Sequence, residues 1–583
     1  MKIIKKLPLA LALILIPHIS LAAKNPLIEN EKMHRTDLIS KNDKLSEDKN
    51  ESDDIKKPEV REVPVDNEPN RIVTTILKDP STQMGFSWYT TDKFDDSEVR
   101  ISENSDMSNF KSYKADRQEK KSHYVQRDKN GYFIFQKQDK NNKVIDYFTD
   151  ENKDKKWEHE DELDDSKEES VKIDVVEKIE NRYSIKVTDL KPDTTYYYQV
   201  GSPSNSFSDI ATFKTAGDDV TSFIQYTDTQ NAFWNENKNN EARYASDVLR
   251  HAIDMTDDLD FILHTGDIVE ISEVEDEWKD QLDQSRDSLL KAPLSPVAGN
   301  HDEYGLDHDE LFPEKFTDHF TLDYESPVDG GVYYSYDYNN VHFINLNTND
   351  YKNEDKKSLS DEQLKWLRDD VKKARDNGSE WVILNYHKPL FSKSYHSLED
   401  EDVQNVRDDF MKAIDDLDID LALQGHDHVF SRTKSLNYAN KDQSFVNAQI
   451  DYSDYKIDSY GYKTLKSPKG TTFVLPNTAG TKAYDNIFDK SLDHIKKVRK
   501  NLDWLTQEQL DHYKTLFEKG EQPHRAEEFK DSHSNKRDST FQNFAQYKII
   551  GNKLQAKIYQ VSGDLDNGDE RKVELVDCFS IEK

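Results

Sequence analysis

A single cysteine, Cys578, stands among 583 residues, so the chain closes no disulfide within itself and must draw its stability from packed cores, bound metals or both. Cationic side chains are also in short supply: 80 Lys and Arg face 115 Asp and Glu, a net charge of −35. That balance argues against binding nucleic acid or docking on anionic membranes, since both need clustered Lys and Arg to neutralise phosphate. The apolar run at the N-terminus, Leu7 to Ile16, falls well below the roughly 20 residues of a membrane-spanning helix. A Gly-x-Ser-x-Gly elbow and a Walker loop are both missing, which removes the usual signatures of serine-nucleophile and P-loop chemistry. With 34% hydrophobic and 33% charged residues, the chain reads as well-solvated insertions around smaller ordered units.

Residues 1–22 have the layout of a secretory signal: Lys2, Lys5 and Lys6, the short apolar run, then Ser20, Leu21 and Ala22 before Ala23. The expectation is a soluble exported protein, extracellular or periplasmic, with no stable membrane anchor. Residues 23–68 are charged and nearly free of aromatics. Such a stretch buries too little apolar surface to offset its ordering entropy, and it reads as a disordered linker.

From Arg71 the texture becomes short alternating runs, including Ile72 to Leu77, Gly85 to Tyr89, Tyr183 to Val187 and Tyr196 to Val200, which predict a β-sandwich. The segment Leu190 to Tyr196, with Trp88 as a core aromatic, resembles the corner of a fibronectin type III module over about residues 69–216. A charged stretch from Phe110 to Lys172 exceeds what such a module holds and reads as an inserted excursion, with Tyr132 to Phe135 as one arm of an extra hairpin.

Beyond Asp218, strands alternate with helices. Strands are expected at 223–226, 261–264, 294–298, 381–386, 420–423 and 473–475, and helices at 240–255, 274–290, 361–376 and 403–417. Asn339 and Asn340 turn a hairpin between 332–338 and 341–346, and Ser360 with Gln363 forms a capping box. Residues 217–583 thus read as an α/β domain, with a charged helical insertion at about 484–538 and two closing strands at 544–550 and 554–561.

The polar residues at the strand ends carry the chemistry. Leu263 to Val269 is an apolar strand pattern delivering Asp267, and ligands in open α/β sheets bind outside such C-terminal ends. Other ends carry Asp228, then Gly299-Asn300-His301-Asp302, then His387, then Gly425-His426-Asp427-His428. Singly, each has a bland reading as a turn, a cap or a core histidine. Delivered together to the edge of one sheet, they point to one dinuclear metal site. Two carboxylates, an amide oxygen and three imidazoles suit Zn, Fe or Mn and not the all-oxygen sites of Ca or Mg. Two such ions about 3.5 to 4 Å apart bind a phosphoryl oxygen, generate hydroxide at neutral pH and clamp an in-line displacement. Asp267, on the central strand, is the natural bridge.

This set, following a fibronectin-like module, resembles the calcineurin-like metallophosphoesterases, and the domain order is similar to their purple acid phosphatase branch. The resemblance implies a four-layer α/β/β/α sandwich. It also implies that Asp228 and His428 bind a first metal, that Asp267 bridges, and that Asn300, His387 and His426 bind a second. His301 would face the phosphate, and His396 would occupy the place of a substrate-facing histidine of plant-type enzymes. Two positions depart from the pattern. Purple enzymes carry a tyrosine three residues after the bridging aspartate, where this chain has Glu270, so the purple chromophore is not expected. Other family members have a histidine where Gln230 stands, leaving Gln230, Glu270 or water to complete the first metal. Lys388 reads as a structural surface lysine, with a phosphate contact as the alternative, Arg432 as a residue that could support the site from behind the ligands, and Asn477 to Gly480 as a pocket-lining loop.

The expected function is hydrolysis of small phosphomonoesters by in-line attack of a metal-held hydroxide. The alternatives are a phosphodiesterase acting on nucleotides or on wall or lipid head groups, and an exported binding or adhesion protein that keeps the fold without activity. No protein partner is indicated.

Overall fold

The computed structural model describes residues 55–150, 169–217, 219–233, 241–306, 312–324, 332–350, 356–459, 461–520, 529 and 535–583. The expected signal, the linker up to residue 54 and residues 151–168 of the first insertion lie outside these. Residues 55–68, the rest of the expected disordered linker, are extended chain tied down by Arg61 N–H donating to Arg127 O at 2.8 Å and by Lys279 pairing with Asp66 at 2.5 Å. Among the described residues, no helix is long and apolar enough to cross a membrane.

The first segment contributes strands β1 (Asn70–Thr75), β2 (Met84–Thr90), β3 (Asp116–Val125) and β4 (Val175–Val187). Next in the chain come β5 (Val220–Tyr226), α1 (Glu241–Asp254), β6 (Phe261–His264), α2 (Glu275–Gln284) and β7 (Leu294–Pro296). They are followed by β8 (Tyr334–Tyr338), β9 (Val341–Asn345), α3 (Asp361–Asp376), β10 (Trp381–Asn385), α4 (Glu401–Asp416), β11 (Leu421–Leu423) and β12 (Thr472–Leu475). The chain closes with β13 (Phe541–Ile550), β14 (Lys553–Ser562) and β15 (Lys572–Glu582).

These strands form two large sheets. In the twelve-stranded sheet, β15, β14, β13, β5, β6, β7, β1, β2, β4 and β3 lie side by side in that order; in the seven-stranded sheet the order begins β8, β9, β10, β11, β12. The strands β5, β6 and β7 are mutually parallel, as are β9, β10, β11 and β12. Their apolar faces meet in one core, where the Phe343 ring of β9 stands edge-on to Phe223 of β5 and Phe261 of β6, each at 5.2 Å. The expectation of one sheet edge collecting all the polar strand ends is therefore corrected: β5, β6 and β7 supply three of them and β10 and β11 of the other sheet supply the rest. An apolar run reports that a strand is buried, not which sheet it joins.

The twelve-stranded sheet continues from the catalytic strands into the N-terminal segment, through a parallel pairing of Thr75 with Leu294. A buried charge cluster reinforces the join. Arg71 is fully enclosed; its Nη2 lies 2.9 Å from Glu180 Oε1, its Nη1 contacts Glu275, and its guanidinium sits 4.1 Å from the Tyr89 ring centroid. Glu275 also takes His319 Nε2 at 2.9 Å.

Several other details differ from the sequence reading. The 274–290 helix breaks at Ser285, with α2 ending at Gln284 and a short turn at Arg286–Leu289. Ser360 caps α3 by accepting from Gln363 N, but the Gln363 side chain bonds Asn347 at both its N–H and its carbonyl instead of closing the box. Among the described residues of the first insertion, Ile134–Gln138 pairs with Val144–Thr149 and Ser170–Ile173. The second holds helices Leu492–Val498 and Gln507–Thr515, but also a strand, Phe517–Lys519, and a stem in which Ala483 and Tyr484 pair with Lys536 and Asn535. A third closing strand, β15, follows the two expected.

Candidate metal centre

The loops after β5 and β6 enter the site in unusual backbone conformations. Asp228 (φ 52°), Gln230 (φ 43°), Asp267 (φ 56°) and, after β11, His426 (φ 71°) are all left-handed, a conformation costing of order 1 kcal/mol or more each in non-glycine residues and found where function over-determines the fold. Close packing keeps the flanking glycines small. A Cβ on Gly266 (φ 100°) would lie 2.4 Å from His387 Nδ1, and one on Gly299 would lie 2.1 Å from Asp267 Oδ1 and 2.2 Å from its amide nitrogen. Asp302 locks the two loops together, accepting from Ile268 N at 2.7 Å and Gly299 N at 2.9 Å.

Five of the sequence-predicted residues, Asp228, Asp267, His387, His426 and His428, converge. His387 Nε2 lies 3.0 Å from Asp267 Oδ2, His428 Nε2 lies 3.3 Å from Asp228 Oδ1, and His426 Nδ1 lies 3.2 Å from His387 Nε2. Among the described residues, potential ligand atoms gather in three groups: Asp267 with His387 and His426, Asp228 with Asp267 and His428, and His396 with Asp400 and His426; Asp267 is common to the first two. Asn300 is buried and its Oδ1 has no hydrogen-bond partner. An orphaned buried carbonyl and a carboxylate shared by two histidine-bearing groups fit a pair of cations, whose charge would satisfy what the protein leaves unsatisfied.

Main-chain carbonyls set the histidine tautomers, because a carbonyl only accepts. His387 Nδ1 donates to Thr265 O and His428 Nδ1 to Lys482 O, both at 2.8 Å, which turns each Nε2 inward. Burial, with His396 and His387 beside it, holds the His426 imidazole well below its ordinary pKa and hence neutral. Burial also opposes the charge on Asp267, but His387 and His301 outweigh it and hold that carboxyl well below the usual range.

His301 and His396 stand at the partly open side. His301 donates from Nδ1 to Glu270 O at 2.7 Å, and its backbone N–H donates to Asp267 Oδ1 at 3.0 Å. His396 Nδ1 is 2.6 Å from Asp427 Oδ1, and its ring lies 4.3 Å from that of His426. Burial lowers the His396 pKa, and Asp400 and Asp427 more than restore it.

Glu270 is buried and pairs with Arg537 at 2.7 Å. Gln230, also buried, has neither side-chain atom hydrogen-bonded. Lys388 is a buried lysine paired with Asp402 at 2.6 Å, not a surface residue. Arg432 pairs with Asp577 of β15 at 2.6 Å and so ties the last strand to the seven-stranded sheet. Asn477 to Gly480 braces the first loop, with Thr478 Oγ1 donating to Asp228 O at 2.7 Å and Ala479 N to Thr227 O at 2.9 Å.

Both insertions reach this site. Phe133, Phe135, Val171 and Ile173 of the first share a core with Phe233, Ile271, Val274 and Leu306, on the loops just past Gln230, Glu270 and Asp302. The second brings Arg537, and sets Tyr484 with its ring 4.6 Å from His428. Sequence reading missed Tyr484 and Arg537 because the charged insertion carries no periodic signal, and it missed Lys482 and Asp400, which belong to none of the strand-end motifs.

Residues 221–430 match the family model for the calcineurin-like phosphoesterases, and residues 133–215 match that for the purple acid phosphatase N-terminal domain. Purple acid phosphatase 15 of Arabidopsis thaliana is 26% identical over 282 residues, covering 44% of this chain and 50% of that protein. A probable inactive purple acid phosphatase 9 from the same plant is 23% identical over 274 residues, covering 42% and 41%. The chain thus spans about half the length of the curated relatives it matches. A purple acid phosphatase from yellow lupin (Lupinus luteus) seeds shares the fold, with a TM-score of 0.54 at 14% identity, covering 88% of this chain and 74% of that one.

Proposed function

We propose, for a chain that carries a calcineurin-like phosphoesterase domain behind a purple acid phosphatase N-terminal domain, that it is a metal-dependent phosphoester hydrolase acting on small phosphomonoesters. The observation that carries the reading is Asp267, common to two groups of potential ligands. Asp228 and His428 would hold one ion, Asn300, His387 and His426 the other, and Asp267 both. The mixed oxygen and nitrogen donors suit Fe, Zn or Mn. At the first ion the orphaned amide of Gln230 fits the remaining position better than Glu270, whose carboxylate is engaged by Arg537.

Bound ions would supply Lewis-acid polarisation of the phosphoryl group and a nucleophile at neutral pH. The chain's own residues do the rest. Thr265 O and Lys482 O keep two imidazoles in the tautomer that presents Nε2 inward. His301, anchored through Nδ1, presents Nε2 to the developing charge on phosphate oxygen. His396, held at Nδ1 by Asp427, offers Nε2 as proton donor to the leaving oxygen.

Export directed by residues 1–22, a fibronectin type III-like module over 69–216 and α/β/β/α layering over 217–583 belong to the same proposal. The inactive relative favours one further reading, a binding protein without activity. Metal analysis with a substrate panel separates them. The proposal expects about two transition-metal ions per chain and hydrolysis of an aryl phosphate, with activity falling on the order of a hundredfold or more in Asp267→Asn. Protein that takes up no metal under replete conditions would sink it, and preference for a bis-aryl phosphate would reassign it to diesters.

A further inference from the structure

Asp400 occupies the N-cap position of α4, where an aspartate ordinarily accepts a hydrogen bond from the backbone of the first helical turn, yet its side chain makes no such bond. Its Oδ2 lies instead 3.2 Å from His426 Nε2. The other nitrogen of that ring, Nδ1, faces His387 Nε2 at 3.2 Å, the same atom that faces Asp267. His426 is therefore oriented the opposite way round from His387 and His428, and its outward nitrogen meets a carboxylate where theirs meet main-chain carbonyls.

We infer that Asp400 is a positioning residue for the second ion: it accepts the Nε2 proton of His426, fixes that tautomer and reserves Nδ1 for coordination. The inference rests on the ligand assignment proposed above. The neighbouring carboxylates have other work. Asp427 serves His396, whose ring centroid lies 4.3 Å from that of His426 with the planes tilted by 47°, and Asp402 is paired with Lys388. A cap left unmade is consistent with a carboxylate committed elsewhere, since capping is the arrangement an aspartate at this position otherwise adopts.

The test uses Asp400→Ser, which keeps a side chain able to cap α4, and Asp400→Asn, which keeps the shape, with Glu401→Gln, an exposed position in the first turn of the same helix, as control. Full-length protein stripped of metal is titrated with Zn²⁺ against a chelating dye. One of two equivalents should weaken by about ten- to a hundredfold in both Asp400 variants while the other holds, and the control should match the unaltered protein. In ¹⁵N-histidine spectra of the zinc-loaded protein, one ring should be bound through Nδ1 with a protonated Nε2, and that proton should exchange faster in Asp400→Ser. Both equivalents unchanged, or both weakened alike, would overturn the inference. Unaltered protein that takes up no ion would overturn the ligand assignment instead.

Discussion

Arg537 Nη2 lies 2.7 Å from Glu270 Oε2, and both side chains are largely withdrawn from water. Burial disfavours the Glu270 charge, but Arg537, with His301 and Lys482 near, outweighs it and holds the carboxyl well below its ordinary range. An arginine from the second insertion thus occupies the carboxylate that stands in the tyrosine position of purple enzymes.

Iron-loaded protein is accordingly expected to show no tyrosinate-to-iron band in its visible absorption. A band of that kind would show that another tyrosine reaches the metal.

Replacing Arg537 by leucine leaves a buried carboxylate without its strongest partner. The expected cost is about 3 kcal/mol, read as a fall in melting temperature. A variant as stable as the parent would mean that Glu270 is neutral or hydrated.

Gly299→Ala places a methyl group against Asp267 Oδ1 and the Asp267 amide. The backbone has to shift, at a cost of about 1 to 3 kcal/mol, and the bridging carboxylate moves with it. Calorimetry should report the destabilisation and metal titration a weaker site. Unaltered metal binding would show that the two loops separate without consequence.

Away from the metals, His342 of β9 is clasped between Asp337 at 2.8 Å and Asp370 at 2.9 Å. Burial depresses its pKa, but the two carboxylates raise it from 6.5 to about 9. Stability from this group is full below the unfolded value near 6.5 and is lost as pH rises through about 9, a total of order 3 kcal/mol. Urea unfolding at a series of pH values should show that decline, and His342→Gln should flatten it.

The candidate site was largely legible because each candidate ligand follows an apolar run: Asp228, Asp267, Asn300, His387, His426 and His428 all sit just past a buried strand. Their division between two sheets was not, since β6 and β10 have the same local signature. Neither was the left-handed backbone of Asp228, Asp267 and His426, which tertiary packing imposes. The last strand, β15, escaped notice for a local reason. Its register against β14 shifts between Ile558 and Tyr559, so Asp577 and Leu575 face successive partners and Val576 is left over; that bulge breaks the alternation that marks a strand. Asp400 was hidden differently, because it precedes a helix and follows no buried strand.

The seam between Thr75 and Leu294 bears on how the chain can be shortened. A product cleaved near residue 217 would keep all six candidate ligands, but it would surrender β1 and the apolar side chains that cover Ile271, Val274 and Leu306. Such a fragment would present a raw strand edge beside a greasy patch and self-associate in place of working as a minimal enzyme.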